Sequence, residues 1–145
     1  MIYDVAVIGC GVSGASIAKT LSRYNLNVII LEKECDVAFS TSKANSGIVH
    51  GAFHHNPKYL KSKLEIEGNL MFDKLHKELD FPFIRNGILV VALTEEELKQ
   101  CEHLYNNGIA NGSIGIELCS RERILELEPK LTHDVIGGLY APLGG

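Results

Sequence analysis

Residues 4–33 read DVAVIGCGVSGASIAKTLSRYNLNVIILEK. The opening DVAVI is rich in β-branched and apolar residues and stops at Gly9, the pattern of a buried parallel strand. Over residues 12–24, Ile17, Ala18 and Leu21 fall on one helical face and Lys19, Ser22 and Arg23 on the other. Asn25 and Asn27 break that helix, and VIILE at 28–32 is a second buried strand. The spacing predicts a β–α–β unit of about thirty residues with its glycines in the first strand-to-helix turn.

Those glycines, Gly9, Gly11 and Gly14, spell G-x-G-x-x-G. Gly9 permits the sharp exit from the strand, Gly11 lets a pyrophosphate approach the backbone, and Gly14 lets the helix pack close to the strands. Val12 and Ser13 open the helix, whose free N–H groups and partial positive charge suit a diphosphate. Glu32 lies eighteen residues past Gly14, at the end of the second strand. A carboxylate there can accept hydrogen bonds from both ribose hydroxyls of an adenosine, and it would repel a 2′-phosphate, which disfavours NADP. The fingerprint serves both FAD and NAD. A plain NAD domain usually proceeds to another βαβ unit, whereas this chain enters the polar loop EKECDVAFSTSKANSGIVHGAF.

Composition sets the bounds. With 145 residues, 46% hydrophobic and 22% charged, the chain is one globular domain's worth. Its 14 Lys and Arg against 18 Asp and Glu give a net charge of −4, without a basic run, so nucleic-acid binding is not expected. No apolar stretch reaches the ~20 residues that cross a bilayer. The first apolar run has no cationic segment ahead of it, so it does not read as a signal peptide, and the cytoplasm is the expected location. None of Cys10, Cys35, Cys101 and Cys119 forms a C-x-x-C pair, so no metal site is expected and the thiols read as buried and reduced.

Downstream, residues 33–50 form a long polar connection of the kind that often binds a ligand. Pro57 opens an amphipathic helix with Leu60, Leu64, Met71, Leu75 and Leu79 at helical spacing. FPFIR at 81–85, Asn86-Gly87 and ILVVAL at 88–93 predict a hairpin around a type I′ turn. Thr94 and Glu97 form a capping box for the next helix. IELC at 116–119 predicts a short strand, Ser120 caps a brief helix ending near Pro129, and VIGGLYAP at 135–142 predicts another strand.

Four stretches carry a resemblance: YDVAVIGCGVSGASIAKTLSRYNLNVIILEK, FSTSKANSGIVHGAF, LKSKLEIEGNLMFDKL and NGILVVAL. Together they resemble the N-terminal part of FAD-dependent oxidoreductases of the D-amino-acid-oxidase superfamily. The nearest branches are glycerol-3-phosphate dehydrogenases and L-2-hydroxyglutarate oxidases. The resemblance implies an α/β fold: a Rossmann-like FAD-binding βαβ unit, then the start of an antiparallel substrate-domain sheet. It assigns 1–80 to the FAD-binding part and 81–145 to the substrate or cap part. The implied cofactor is FAD. Gly9, Gly11, Val12, Ser13 and Gly14 would face its pyrophosphate, Glu32 its ribose and Lys33 its adenine end, with Thr41, Ser42, Asn45 and Ser46 lining it.

The same resemblance brings His50 near the flavin ring as a proton-transfer or orienting group. His54 and His55 stand where relatives often carry a small or aromatic residue and an acid. No third ligand accompanies that pair, so it does not read as a metal site. Arg85 is either a contact for an anionic substrate or, as surface arginines commonly are, a solvated strand-end residue. The implied reaction is oxidation of a CH–OH centre, of glycerol 3-phosphate first and of an L-2-hydroxyacid as the alternative, with hydride passing to flavin. Electron acceptor, partner chain and oligomeric state are left open. Family members run to several hundred residues, so a fragment or truncated product is expected, inactive by itself. The remaining alternatives are a non-catalytic nucleotide-binding module and an NAD-binding dehydrogenase domain.

Overall fold

The computed structural model describes residues 2–145, which form two compact units, 2–47 and 48–145. The first holds β1 (Val5–Ile8), α1 (Val12–Leu21) and β2 (Val28–Leu31). β1 and β2 pair in parallel, from Val5 opposite Val28 to Ile8 opposite Leu31. At the start of the pair, Asp4 and Asn27 clasp each other: Asp4 N–H donates to Asn27 O (2.9 Å), and Asn27 N–H donates to the Asp4 carboxylate (2.8 Å). The β–α–β unit is as the sequence predicts, with α1 ending at Leu21 rather than 24.

The strands are not buried as expected. Val7 is the buried residue of β1, while Ile8 is 87% exposed and Leu31 49%. Apolar runs are buried in a parallel sheet because helices cover both faces. Within this unit two strands and one helix leave most of the apolar surface open.

The second unit contains α2 (Leu60–Glu78), β3 (Ile88–Ala92), α3 (Glu95–Asn111), β4 (Glu117–Ser120), α4 (Arg121–Leu127) and β5 (Gly137–Ala141). Its sheet runs β3-β5-β4, antiparallel throughout, with Ile88 opposite Ala141 and Glu117 opposite Tyr140. Side chains alternate across it. One face packs Ala92, Leu139 and Ala141 with Phe53, Cys101 of α3 and Ile116. The other sets Leu89, Val91 and Tyr140 against Ile124 of α4 and Val135. Gly138 is required where β5 passes β3, because a Cβ there would stand 2.3 Å from Val90 O.

Both caps form as read. The Thr94 hydroxyl accepts from Glu97 N–H (3.2 Å), and the Glu97 carboxylate accepts from Leu93 (2.7 Å) and Thr94 (3.1 Å). Ser120 accepts from Arg123 N–H (3.3 Å).

The 81–93 hairpin does not form: residues 81–85 are not a strand, and β3 pairs with β5 instead. Phe83 is drawn toward α2, packing on Phe72 and His76, and Arg85 follows it to Asp73. Gly87, at φ 78°, donates its N–H to Gly144 O (3.0 Å), so the Asn-Gly step leads into β5's extension. The cysteines also divide. Cys101 and Cys119 are buried, Cys10 is half-buried and Cys35 is exposed, since it lies in the polar loop; all four are free thiols. Burial pushes the Cys119 thiol up to about 11.

Candidate functional site

The sharp exit from β1 is made at Gly9, whose φ of 94° suits glycine, and its N–H donates to Leu31 O (2.7 Å) to close the ladder. Gly14 sits where α1 crosses this turn: a Cβ there would lie 2.0 Å from Gly9 O. The first rung of α1 is Ala15 N–H to Gly11 O (2.9 Å). The N–H groups of Val12, Ser13 and Gly14 therefore precede the ladder. That of Val12 donates to Ser42 Oγ (2.9 Å), so the loop supplies the cap that Gly11 cannot. Gly11 itself leaves a Cβ-free gap, 3.0 Å from Ser42 Oγ.

Glu32 lies across the same turn. One carboxylate oxygen accepts from Cys10 N–H (2.7 Å), the other from Lys33 (2.9 Å) and Glu34 (3.1 Å). These bonds, the one from Cys10 foremost, hold its carboxyl below the usual carboxylate range. Three of about four acceptor positions are thus taken, leaving room for one further donor without displacement. Lys33 is exposed and pairs with Glu34 (3.3 Å). Asn45 donates to Ser42 O and accepts from Gly47 N–H (2.7 Å), which folds the 42–47 turn back on itself. Thr41 and Ser46 are exposed. Orphan N–H donors, a gap that a Cβ would fill and a fixed carboxylate fit the ADP half of a dinucleotide.

His50 belongs to the second unit, on a loop held by its carbonyls. Asn69 Nδ2 donates to His50 O (2.7 Å) and Leu143 O (2.8 Å), Ser113 Oγ to Gly51 O (2.6 Å), and Asn111 Nδ2 to Ala52 O (3.0 Å) and His55 O (2.8 Å). Val49 and Gly145 exchange two backbone bonds. Ala52 is wholly buried at φ 61°, a left-handed conformation costly for a side chain.

Between this loop and α2 lies a cavity of about 630 Å³. His50, His54 and His55 line it from the loop, and Lys61, Glu65 and Phe72 from the helix. Burial holds His54 below the ordinary histidine value, helped by charge on His50 and opposed by Glu65. Among the described residues no three His, Cys, Asp or Glu are grouped to hold a metal.

Arg85 is corrected on both readings. It donates to both Asp73 oxygens (2.8 and 3.0 Å), to Asn69 Oδ1 (3.0 Å) and O (2.9 Å), and to Leu143 O. The guanidinium is neither solvated nor open to a substrate. It clamps Asn69, which holds His50. Asn69, Asn111 and Ser113 were not singled out in the sequence. For Asn69 and Asn111 the available signal was a polar residue on a helical face otherwise turned to a core, where a buried amide must find partners.

The sequence pattern of the family described as "FAD dependent oxidoreductase" matches residues 4–145. The chain belongs to this family. A glycerol 3-phosphate dehydrogenase of Caloramator mitchellensis is 49% identical over 143 residues, which is 99% of this chain and 30% of that protein. A mitochondrial L-2-hydroxyglutarate dehydrogenase of Dictyostelium discoideum is 39% identical, over 97% of this chain and 31% of that protein. Among solved structures, dithionite-reduced L-alpha-glycerophosphate oxidase from Mycoplasma pneumoniae, with FAD bound, aligns at a TM-score of 0.83 and 37% identity. That alignment covers 96% of this chain and 37% of the oxidase. The chain spans about a third of the length of the relatives it matches. As expected, the fold is mixed α/β, with a parallel βαβ unit and an antiparallel sheet. Among the described residues no helix is long and apolar enough to cross a membrane.

Proposed function

We propose that the protein carrying this chain seats FAD on the mouth of α1 and oxidises the CH–OH group of glycerol 3-phosphate. The observation that carries the reading is the helix mouth itself: unladdered N–H groups at Ser13 and Gly14, a Cβ-free gap at Gly11, and Glu32 fixed across the turn. In this reading Gly9, Gly11, Val12, Ser13 and Gly14 receive the diphosphate and Glu32 takes a ribose hydroxyl on its remaining acceptor position. Lys33 stands by the adenine end. Thr41, Ser42, Asn45 and Ser46 line the cofactor, with Ser42 keeping the helix mouth in shape through Val12.

Bound FAD supplies the hydride acceptor. His50 accepts the substrate hydroxyl proton on an imidazole nitrogen, on a loop that Asn69, Asn111 and Ser113 keep in place. Residues 1–80 would serve the FAD-binding part and 81–145 the substrate part, since β3, β4 and β5 all follow residue 81 and form one sheet. A small anionic substrate agrees with the glycerol 3-phosphate relatives. Free thiols throughout agree with a reducing compartment such as the cytoplasm.

L-2-hydroxyglutarate is the second reading, favoured by the Dictyostelium relative. Both substrates are anions with a secondary alcohol, so anaerobic reduction separates them. Flavin colour in the FAD-loaded protein should bleach on adding glycerol 3-phosphate and persist with L-2-hydroxyglutarate. The reverse favours the second reading, and failure to load FAD defeats both. Residues 1–145 alone should give no turnover; substrate oxidation by them would show that nothing further is needed.

A further inference from the structure

Residues 49 and 50 rest on two supports, and both supports meet at one side chain. The first is Asn69, whose Nδ2 donates to His50 O (2.7 Å). The second is the strap 143–145, which continues the chain just past β5. Val49 N–H donates to Gly145 O (2.7 Å) and Gly145 N–H to Val49 O (3.1 Å), the hydrogen-bonded pair of an antiparallel ladder. The two supports share Leu143 O, which accepts from Asn69 Nδ2 (2.8 Å) and from Arg85 Nη1.

A guanidinium has five N–H donors, and Arg85 makes five bonds with them. Nε and Nη2 take the two Asp73 oxygens (2.8 and 3.0 Å), and Nη2 also takes Asn69 O (2.9 Å). Nη1 takes Asn69 Oδ1 (3.0 Å) and Leu143 O. The Phe83 ring lies 5.1 Å from the guanidinium carbon and backs its plane. The bond to Oδ1 decides which way the Asn69 amide faces. Asn69 is buried, and its amide, turned over, would aim oxygen at the carbonyls of His50 and Leu143, acceptor against acceptor.

We propose that Arg85 is a positioning residue for His50, acting by two routes. One runs through the Asn69 amide to the His50 carbonyl, the other through Leu143 O to the strap that pairs with Val49. Asp73 anchors the guanidinium, and its planar fork does the positioning, because the fork reaches Asn69 Oδ1, Asn69 O and Leu143 O together. Lysine would keep the charge and could still meet Asp73, but its ammonium is a point with three donors and no plane. Arg85 has no donor left for a substrate and acts only through these neighbours. The inference rests on the proposed function for the role of His50 in proton transfer; the two routes themselves do not depend on it.

The test compares Arg85→Lys and Asp73→Asn in the FAD-loaded protein carrying the chain, with circular dichroism to confirm the fold. Amide hydrogen exchange reads the supports directly. In Arg85→Lys the Val49 and Gly145 amides should exchange about tenfold faster, the equivalent of one lost hydrogen bond, while α3 keeps its protection. In the same variant kcat should fall about 10- to 100-fold with KM little changed, as for a displaced catalytic group. Asp73→Asn leaves the bonds to Asn69 and Leu143 and should stay near wild type in both readouts. Exchange or kcat unchanged in Arg85→Lys overturns the proposal. So does a loss in Asp73→Asn equal to that in Arg85→Lys, which would make the ion pair alone responsible.

His50→Gln separates this inference from the reading beneath it. Full turnover in His50→Gln removes His50 from proton transfer, and the positioning role falls with it. Lost turnover in His50→Gln beside wild-type kcat in Arg85→Lys leaves the proposed function standing and defeats the role of Arg85 alone.

Discussion

Gly14→Ala concentrates the account in one methyl group. Its Cβ would lie 2.0 Å from Gly9 O, 3.0 Å from Gly9 C and 3.4 Å from Val7 Cγ1. Ordinary contact begins near 3.4 Å, so backbone must separate from backbone by about 1.4 Å. Alanine returns about 1 kcal/mol of helix propensity, whereas overpacking of this kind costs roughly 1–3 kcal/mol. A collision between main chains belongs at the upper end, because no side chain can swing aside, and the net cost is about 2 kcal/mol. Relief comes only by moving α1 off the Gly9 turn, which spoils the diphosphate cradle. FAD binding must then restore it, weakening affinity by about 30-fold.

The assay is a flavin fluorescence titration of wild type and variant, with circular dichroism to confirm the fold. Gly68→Ala, also inside a helix but with nothing within 4 Å of its Cβ, should instead gain up to about 1 kcal/mol of stability. A folded Gly14→Ala protein that binds FAD as tightly as wild type would refute the reasoning about this turn.

Asn69→Ala strips the bonds to His50 O and Leu143 O and leaves Arg85 one acceptor short, at about 1–3 kcal/mol by urea denaturation. It should also lower kcat more than it raises KM; a neutral outcome would remove the carbonyl clamp from the account. Thr94→Ala breaks the capping box of α3 and should cost about 1 kcal/mol, read as a shifted urea midpoint at unchanged slope. Stability should fall with acid in two stages. His54 has a folded value below its ordinary 6.5, so the unfolded chain protonates first and stability drops as pH falls from 6.5 through the folded value. Glu32, Asp73 and Glu97 are held below their ordinary 4.5, 3.8 and 4.5, so what they contribute is complete above those values and is lost as pH falls through the lower folded ones. Thermal unfolding across pH shows both stages, and a midpoint flat between pH 7 and 4.5 would contradict the first.

Local chemistry made part of this molecule legible in advance. The glycine spacing and Glu32 are read from chain neighbours, and so are the Thr94–Glu97 box and the Ser120 cap. The two caps depend on residues three positions apart and formed as expected, and the glycine turn and helix start took the local shape their spacing predicts. The hairpin failed because pairing is decided at long range: β5 offered β3 a ladder, while Arg85 and Phe83 had better partners on α2. Strand burial failed for a related reason, since an apolar run reports what a strand needs and not what its unit supplies. Around His50, which the resemblance proposes for the site, the residues that hold its loop, Asn69, Asn111 and Ser113, were not legible. Their task is to hold carbonyls up to 74 residues distant, and a polar residue on a core-facing position announces that it needs a partner without saying which carbonyl it will meet.

A crystal structure of the FAD complex tests the central claim most directly. The account predicts the diphosphate against the N–H groups of Ser13 and Gly14, over the bare face of Gly11, with a ribose hydroxyl on the Glu32 carboxylate. FAD bound elsewhere with this turn vacant, or Glu32 turned from the ribose, would contradict it.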